Sequence, residues 1–403
     1  MLLSDLKSVV DAQLLYHPKM QPQDLIHLVQ QHLFGNVVTV SNASDSLAFL
    51  KKEYDSNVYE YQREDLSSLP FCEPIGNYYT RVNLLKLKAE ELELFNRIYI
   101  ASASLGTSFQ TILGTTTNGT CVGLSLKECA TKEEMECYLS RLYLLSQMAA
   151  AGMFSFSGED MEEALKAHER AGYPIVHHSN AYMDHYMDTA YRVIDERFLP
   201  LIGLIRRLDE LFTTKERVIL GIDGAMGTGK TTIAYLLSSL YETSVIPTED
   251  FPLPPDLAKE KDRLKEPGGN FHYEYLRDYV IQKIKKENLI TYPCYDERYV
   301  TGYRDVCVPA SKLMIVDGTY SEHFECRKNY DLKIFCKMDP AYQASIIQNK
   351  YQDYNAYQDY LHYLKPYEDK YFEHYEIEDR ADLVYSFPYE EYDFKGVSLK
   401  KGR

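Results

Sequence analysis

The sequence predicts an α/β protein: a doubly wound parallel sheet preceded by a mainly helical domain. Three observations predict it. The stretch RVILGIDGAMGTGKTTIAYLLSSL, residues 217–240, passes from an apolar strand pattern through a glycine-rich loop into a helical pattern. Further short apolar runs follow at 244–248, 313–316, 331–337 and 382–387, separated by helical and turn-rich segments, as strands of a parallel sheet are. The residues before 217 carry repeated amphipathic helical patterns instead.

The loop holds the clearest chemistry. Residues 218–222 read as a buried strand, and Ile233, Leu236, Leu237 and Leu240 share one helical face. Between them Gly224, Ala225, Met226, Gly227, Thr228, Gly229, Lys230 and Thr231 fit G-x-x-x-x-G-K-[ST]. Together with Thr232 they are the candidate nucleotide-binding residues. A triphosphate needs many converging donors. Glycines let the backbone turn its N–H groups inward, and the following helix directs its positive end at the phosphates. Lys230 is placed to reach the β and γ phosphates, and the Thr231 hydroxyl to complete a Mg²⁺ shell.

The chain has 403 residues, enough for two or three domains, with 45% apolar residues to build their cores. A formal net charge of -16 argues against nucleic-acid binding through bulk charge, while a loop of this kind is still a local positive site. None of the 8 cysteines forms a C-x-x-C pair, and the eight-residue spacing of Cys121, Cys129 and Cys137 is not a zinc spacing. Reduced thiols in a cytoplasmic protein are the simplest account. The N-terminus has no signal-peptide core and no run of about 18 apolar residues occurs, so a soluble protein with no membrane partner is expected. Self-association into a homo-oligomer is left open.

In chain order, helices are expected at 2–15 and 22–33, with Pro22 in a first turn where its missing N–H costs little and Gly35 ending the second. Another is expected at 45–54. The prolines and glycine of 70–77 read as loop, and helices follow at 89–104, 131–151 and 158–171. Two polar groups stand out: Glu73 with Arg81 and Asn83, and His177, His178 and Ser179 with Tyr182, Tyr191 and Arg192. They are either a pocket for a small ligand or buried polar groups that fix loops. The second reading is favoured, because no spacing matches a metal site or a triad. The strings MQPQDLIHLVQ, EPIGNYYTRVNL and AGYPIVHHSNAYMDHYMDTAYRVI resemble an uncharacterised bacterial family, which implies a shared domain but no reaction.

A connecting helix is expected at 200–212, with Pro200 at its first position. The boundary falls near Asp195, giving a helical domain at 1–195, an α/β domain at 196–390 and a polar tail at 391–403. The strand at 244–248 delivers Glu249, Asp250 and Phe251. A proline-rich loop follows, then EPGGNFHYEY opening a helix to about 286, and 292–296 is extended. The strand at 313–316 ends in Asp317. Gly224, Asp250 and Asp317 therefore fall at the carboxyl ends of strands, where ligands bind in such sheets.

The strings VILGIDGAMGTGKTT, EDF, EPGGNFHYEYL, YPCYD, IVDGTYSEH, YDLKIF and KPYEDKYF…ADLVY resemble, in that order, the uridine kinase-like group of P-loop kinases, relatives of phosphoribulokinases. The resemblance implies transfer of the ATP γ-phosphate, with Mg²⁺, to a hydroxyl of a small molecule, most often a nucleoside such as uridine. It makes Asp250 the general base and Lys230 its catalytic partner on the phosphates, and gives Asp317 a metal-bound water. His272, Tyr295 and Asp296, with Arg298, line the acceptor pocket. Three departures matter. His272 stands where the family often has an acid, and Asp317 where it more usually has Glu. The segment after Asp339, arginine-rich in the family, has Lys350 as its cation here. Arg298, Arg304, Lys350 and Lys365 are the candidates to supply the missing charge. An ATP-binding regulatory module controlling the N-terminal domain, or a kinase for a non-nucleoside acceptor, are the alternatives.

Overall fold

A computed structural model describes residues 3–35, 43–60, 70–105, 126, 130–186, 190–259, 263–296, 298–299, 302–351 and 354–387. The expected polar tail, Cys121 and Cys129 lie outside them. The chain divides into two compact units, Met1–Leu199 and Pro200–Arg403.

The first unit holds α1 (Leu3–Tyr16), α2 (Pro22–Phe34), α3 (Ala43–Glu60), α4 (Leu92–Ser104), α5 (Lys132–Ala150), α6 (Gly158–Arg170) and α7 (Asn180–His185). Local chemistry sets the helix ends. Thr131 with Glu134 and Ser157 with Asp160 form reciprocal capping boxes at α5 and α6. Residues 70–77, expected as loop, instead contain strand β1 (Cys72–Gly76). It pairs antiparallel with β2 (Tyr79–Asn83), and β3 (Tyr191–Asp195) pairs with β2 on its other side. Pro74 is tolerated because β1 is an edge strand. The unit is therefore helix-rich with a small sheet.

Helix α2 is its centre, buried from Asp24 to Phe34. Its polar side chains replace a sheet partner for the backbone beside it. Gln30 donates to Pro174 O (2.8 Å) and accepts from Val176 N (2.9 Å), and His32 Nδ1 lies 2.7 Å from Ile75 O. The two polar groups seen in the sequence meet here as one buried network. Glu73 accepts from Gln13 (3.0 Å) and pairs with His17 (3.4 Å). Arg81 donates to Gln13 and Gln31, both 2.8 Å. Gln31 donates to the Tyr191 hydroxyl, which His178 also meets at 2.6 Å, and His178 reaches Asp24 at 3.2 Å. Asn83 instead caps the turn after β2, and Arg192 pairs with Glu53.

This network should be weakened by acid. Burial drives His178 down to about 4 against the pull of Asp24, and burial with the charges of His178 and Arg81 drives His27 well below its ordinary value. Burial alone would raise Glu73, but His17, Arg81 and Gln13 bring it down to about 2. For all three the folded-state value is depressed. The histidines contribute stability above their unfolded value of ~6.5 that is lost as pH falls toward their folded values. Glu73 loses its share only below its own unfolded value of ~4.3. Amide exchange of α2, corrected for its intrinsic pH dependence, should therefore accelerate at least tenfold between about pH 7 and about pH 5. Unchanged protection would contradict the prediction.

The second unit is built on five parallel strands: β4 (Val218–Gly224), β5 (Thr243–Pro247), β8 (Leu313–Asp317), β9 (Leu332–Met338) and β10 (Leu383–Phe387). Their order is β10-β9-β4-β8-β5, so the chain leaves the central strand toward one edge, returns, and then builds the other side. That reversal beside β4 defines the doubly wound sheet and its switch point. Strands β4 and β8 are buried throughout, which is why they read as unbroken apolar runs. Helix α8 (Ile202–Phe212) buries Ile202, Leu204, Ile205 and Leu208, and α9 (Lys230–Ser238) follows the loop.

The expected extended run at 292–296 is part of a hairpin, β6 (Leu289–Tyr295) with β7 (Tyr303–Pro309). The long helix expected up to about 286 is corrected. Only Tyr273–Tyr275 is α-helical, and Leu276–Ile281 is a π-turn. The wider turn lets Leu276, Val280 and Ile281 all reach the core. Beyond β9 lie α10 (Pro340–Tyr351), α11 (Tyr354–Asp359), a π-helical turn at Tyr360–Leu364 and α12 (Lys365–Tyr375). Among the described residues no helix is long and apolar enough to cross a membrane.

Candidate functional site

Gly224 ends β4 at φ +144°, and a Cβ there would stand 2.2 Å from the Cys336 carbonyl of β9. Only glycine lets the loop leave the sheet so close to its neighbour. The loop then reaches α9 through Gly229, left-handed at φ +88°. Lys230 opens α9, and its nearly buried ammonium lies 2.8 Å from both Gly224 O and Ala225 O and 3.4 Å from Thr319 Oγ1. Thr228 Oγ1 donates to Ala225 O at 2.8 Å, and Thr319 Oγ1 to Gly224 O at 2.9 Å. Thr232 is half-buried in the first turn of α9.

Thr231 Oγ1 donates to Asp317 Oδ2 at 2.9 Å. The other oxygen, Asp317 Oδ1, is buried without a hydrogen-bond partner among the described residues. Burial pushes the Asp317 carboxyl up, Thr231 and Lys230 pull it back, and Glu249 adds to the rise. A hydroxyl beside a carboxylate with an unmatched oxygen fits a hard cation such as Mg²⁺, with water and phosphate oxygens completing its shell.

Sequence reasoning did not single out Asp223, the residue before the loop. Its fully buried carboxylate accepts from Gly224 N (2.7 Å), Tyr320 N (3.1 Å), Glu322 N (2.9 Å) and the Tyr371 hydroxyl (2.8 Å). Burial pushes it up to about 6 against those donors and Lys230. It fastens the start of the loop to the segment after β8 and to α12.

Asp250 ends a 3₁₀ turn, Thr248–Asp250, that follows β5. Glu249 and Asp250 are thus not alternating strand neighbours, yet they differ in surroundings. Glu249 is exposed and acts on Asp317, while Asp250 accepts from the Tyr292 hydroxyl (2.7 Å) and lies 3.4 Å from Arg304. Burial and the Asp250 carboxylate drive the Tyr292 phenol far up, so it stays a donor. Arg304 also lies 3.9 Å from Asp296, bridging the two acids. Asp296 is held down to about 2, first by Arg298, whose guanidinium contacts both carboxylate oxygens at 2.8 and 2.6 Å from an exposed position.

The remaining acceptor candidates form an aromatic row. His272 stacks on Tyr275 (3.8 Å), Tyr275 meets Tyr303 (5.9 Å), and Tyr303 meets Tyr295 (5.6 Å). Of the four cations weighed from the sequence, Arg304 is the one that contacts Asp250. Arg298 pairs with Asp296, Lys365 pairs with Asp369, and Lys350 is exposed. Tyr292 was visible only as part of an extended run. A cavity of about 690 Å³ lined by Lys215, Arg217, Lys286, Lys312 and Asp331 opens at the other ends of the strands, away from this chemistry.

No family model matches the chain, and no curated protein matches it. Among solved structures it is similar to "a Possible Uridine Kinase from Bacillus stearothermophilus", at 23% identity over 45% of this chain and 98% of that one, with a TM-score of 0.33. It is also similar to a "putative fructose transport system kinase from Silicibacter sp. TM1040", at 18% identity over 45% and 95% of the two chains, TM-score 0.34. A third is the "YGR205w protein", at 12% identity over 43% and 84%, TM-score 0.30. By its own strand order and by the loop at the end of its central strand, the second unit has a P-loop kinase-like α/β fold.

Proposed function

We propose that this protein is an ATP-dependent small-molecule kinase that moves the γ-phosphate to a hydroxyl, with a nucleoside such as uridine as the favoured acceptor. The catalytic unit is 196–390, and 1–195 is a domain attached to it. One observation carries the reading. Asp250 projects from the carboxyl end of β5 with its carboxylate fixed by Tyr292 and Arg304, in the same sheet end as the loop. In this role Asp250 takes the proton of the acceptor hydroxyl as the hydroxyl oxygen bonds to the γ-phosphorus and the bond from that phosphorus to the β–γ bridging oxygen breaks, releasing ADP. Lys230 and the loop N–H groups hold the phosphate charge. Thr231 and Asp317 would hold Mg²⁺, which neutralises further charge. The half-buried rings of Tyr275, Tyr303 and Tyr295 would offer flat faces to a base, with His272 buried and stacked on Tyr275, and Asp296 and Arg298 would give the polar edge.

A second reading is favoured by the segment after β9, whose residues 340–364 contain no arginine. A kinase lid so poor in cations suits a unit that binds ATP to control the N-terminal domain. Incubating purified protein with Mg-ATP and a panel of nucleosides, sugars and vitamins separates the two. Acceptor-dependent ADP release with a nucleoside is expected. Nucleotide binding without any acceptor-dependent turnover would leave the regulatory reading standing.

A further inference from the structure

The segment 340–375 does more than lack arginine: it sets an acid against the loop. Glu368, in the first turn of α12, is 4% exposed, and its carboxylate faces the Met226 N–H at 3.3 Å. The Tyr360 hydroxyl donates to the same oxygen at 3.0 Å. Gln343 of α10 donates to Met226 O at 2.6 Å, so both sides of this residue are engaged by the segment. Ile347 closes the surface: a Cβ on Gly227 would stand 3.1 Å from its Cγ1.

The position of Lys230 shows what this part of the loop is for. The ammonium of such a lysine serves the terminal phosphates. Here it lies against Gly224 O and Ala225 O, at the strand side of the loop. The Ala225 carbonyl and the Met226 N–H belong to one peptide unit, so Glu368 and Lys230 are held by the two ends of the same group. The charge of Lys230 acts on the Glu368 carboxyl, which burial otherwise drives upward. A buried carboxylate therefore stands over the terminal-phosphate end of an anion-binding loop.

We propose that Glu368 is an internal competitor of the donor's terminal phosphoryl group, making the site discriminate against the triphosphate relative to the diphosphate until this acid withdraws. The proposal rests on the reading of the loop as a nucleotide site. The physical reason is like-charge repulsion. Like charges brought within a few ångströms in a site shielded from water repel strongly enough for a tenfold effect on affinity. On this reading of the loop the added phosphoryl group of ATP would face this acid, whereas ADP would end short of it.

The test is calorimetric titration of the full-length protein with ATP and with ADP, each with Mg²⁺, for wild type and Glu368→Gln. Glutamine keeps the shape and an acceptor for the Met226 N–H and removes only the charge. ATP should bind the variant about tenfold more tightly and ADP within about twofold of wild type. Tyr360→Phe, which removes the hydroxyl that donates to the acid and helps hold it in place, should shift ATP in the same direction by a smaller factor. It keeps the test decisive if Glu368→Gln does not fold. Equal changes for both nucleotides, or an unchanged ATP affinity in either folded variant, would overturn the proposal while leaving the loop as a nucleotide site. Absence of binding of either nucleotide to wild type and variants alike would overturn the reading of the loop, and this inference with it.

Discussion

Asp250→Asn should lower turnover by about 10²–10⁴-fold and leave Mg-ATP affinity within about twofold, the size expected if Asp250 is the general base proposed above. Asparagine preserves the volume and can still accept from the Tyr292 hydroxyl, but it cannot take the acceptor's proton. It also leaves Arg304, 3.4 Å away, without the charge it faces on this side, though Asp296 remains within reach. Glu249→Gln is the internal comparison. Glu249 is exposed and its charge is felt at Asp317, so its loss should be much milder and should appear as a changed Mg²⁺ requirement. Steady-state rates with an acceptor found in the panel decide between them. Wild-type turnover in Asp250→Asn would remove it as the base, and a large loss confined to Glu249→Gln would transfer the role.

Lys230→Ala has the second large effect. Triphosphate affinity should fall by about 10²–10³-fold, because the variant leaves buried phosphate charge without its charge-assisted donor. The same ammonium pulls back the raised carboxyls of Asp223, Asp317 and Glu368, so one cation serves three acids around the loop. Removing it makes all three harder to ionise. Titration calorimetry on a variant shown to be folded by circular dichroism is the measurement. Unchanged Mg-ATP binding would place the nucleotide elsewhere.

The parts of the site legible in the sequence are those made by neighbours in the chain. Gly224 to Thr231 carries its chemistry in eight successive residues, and the apolar run 218–222 is legible because β4 is buried on both faces. What was illegible depends on distance. Tyr292 and Arg304 meet Asp250 across 42 and 54 residues, and Glu368 meets Met226 across 142. No periodicity encodes such meetings. Two local errors have local causes. Pro74 and Gly76 are breakers in a central strand but are tolerated at an edge, so β1 read as loop. Leu276 to Ile281 has helical composition, and its π geometry is chosen by packing rather than by propensity. Of the two polar groups of the first unit, Glu73, Arg81, Asn83, Ser179 and Tyr182 are buried, whereas His177 is exposed and Arg192 half-buried, and the union of the groups through Gln13 and Gln31 came only with the fold.

The bond from Tyr371 to Asp223 bears on how α12 can travel. Tyr371 and Glu368 are three residues apart on the same helix, and Tyr371 is anchored at 2.8 Å to the carboxylate that also holds the first N–H of the loop. Wholesale departure of the helix would tear out a fully buried hydroxyl and strip a donor from a fully buried acid. For the withdrawal proposed above, the cheaper displacement would unwind the end nearer the π-turn and pivot about Tyr371. The helix would then act as a lever with its fulcrum one turn from its acid, and a short stroke at residues 365–368 would suffice. Its amides should then exchange along a gradient, fast at the first turn and slow beyond Tyr371, with no cooperative loss of the whole element.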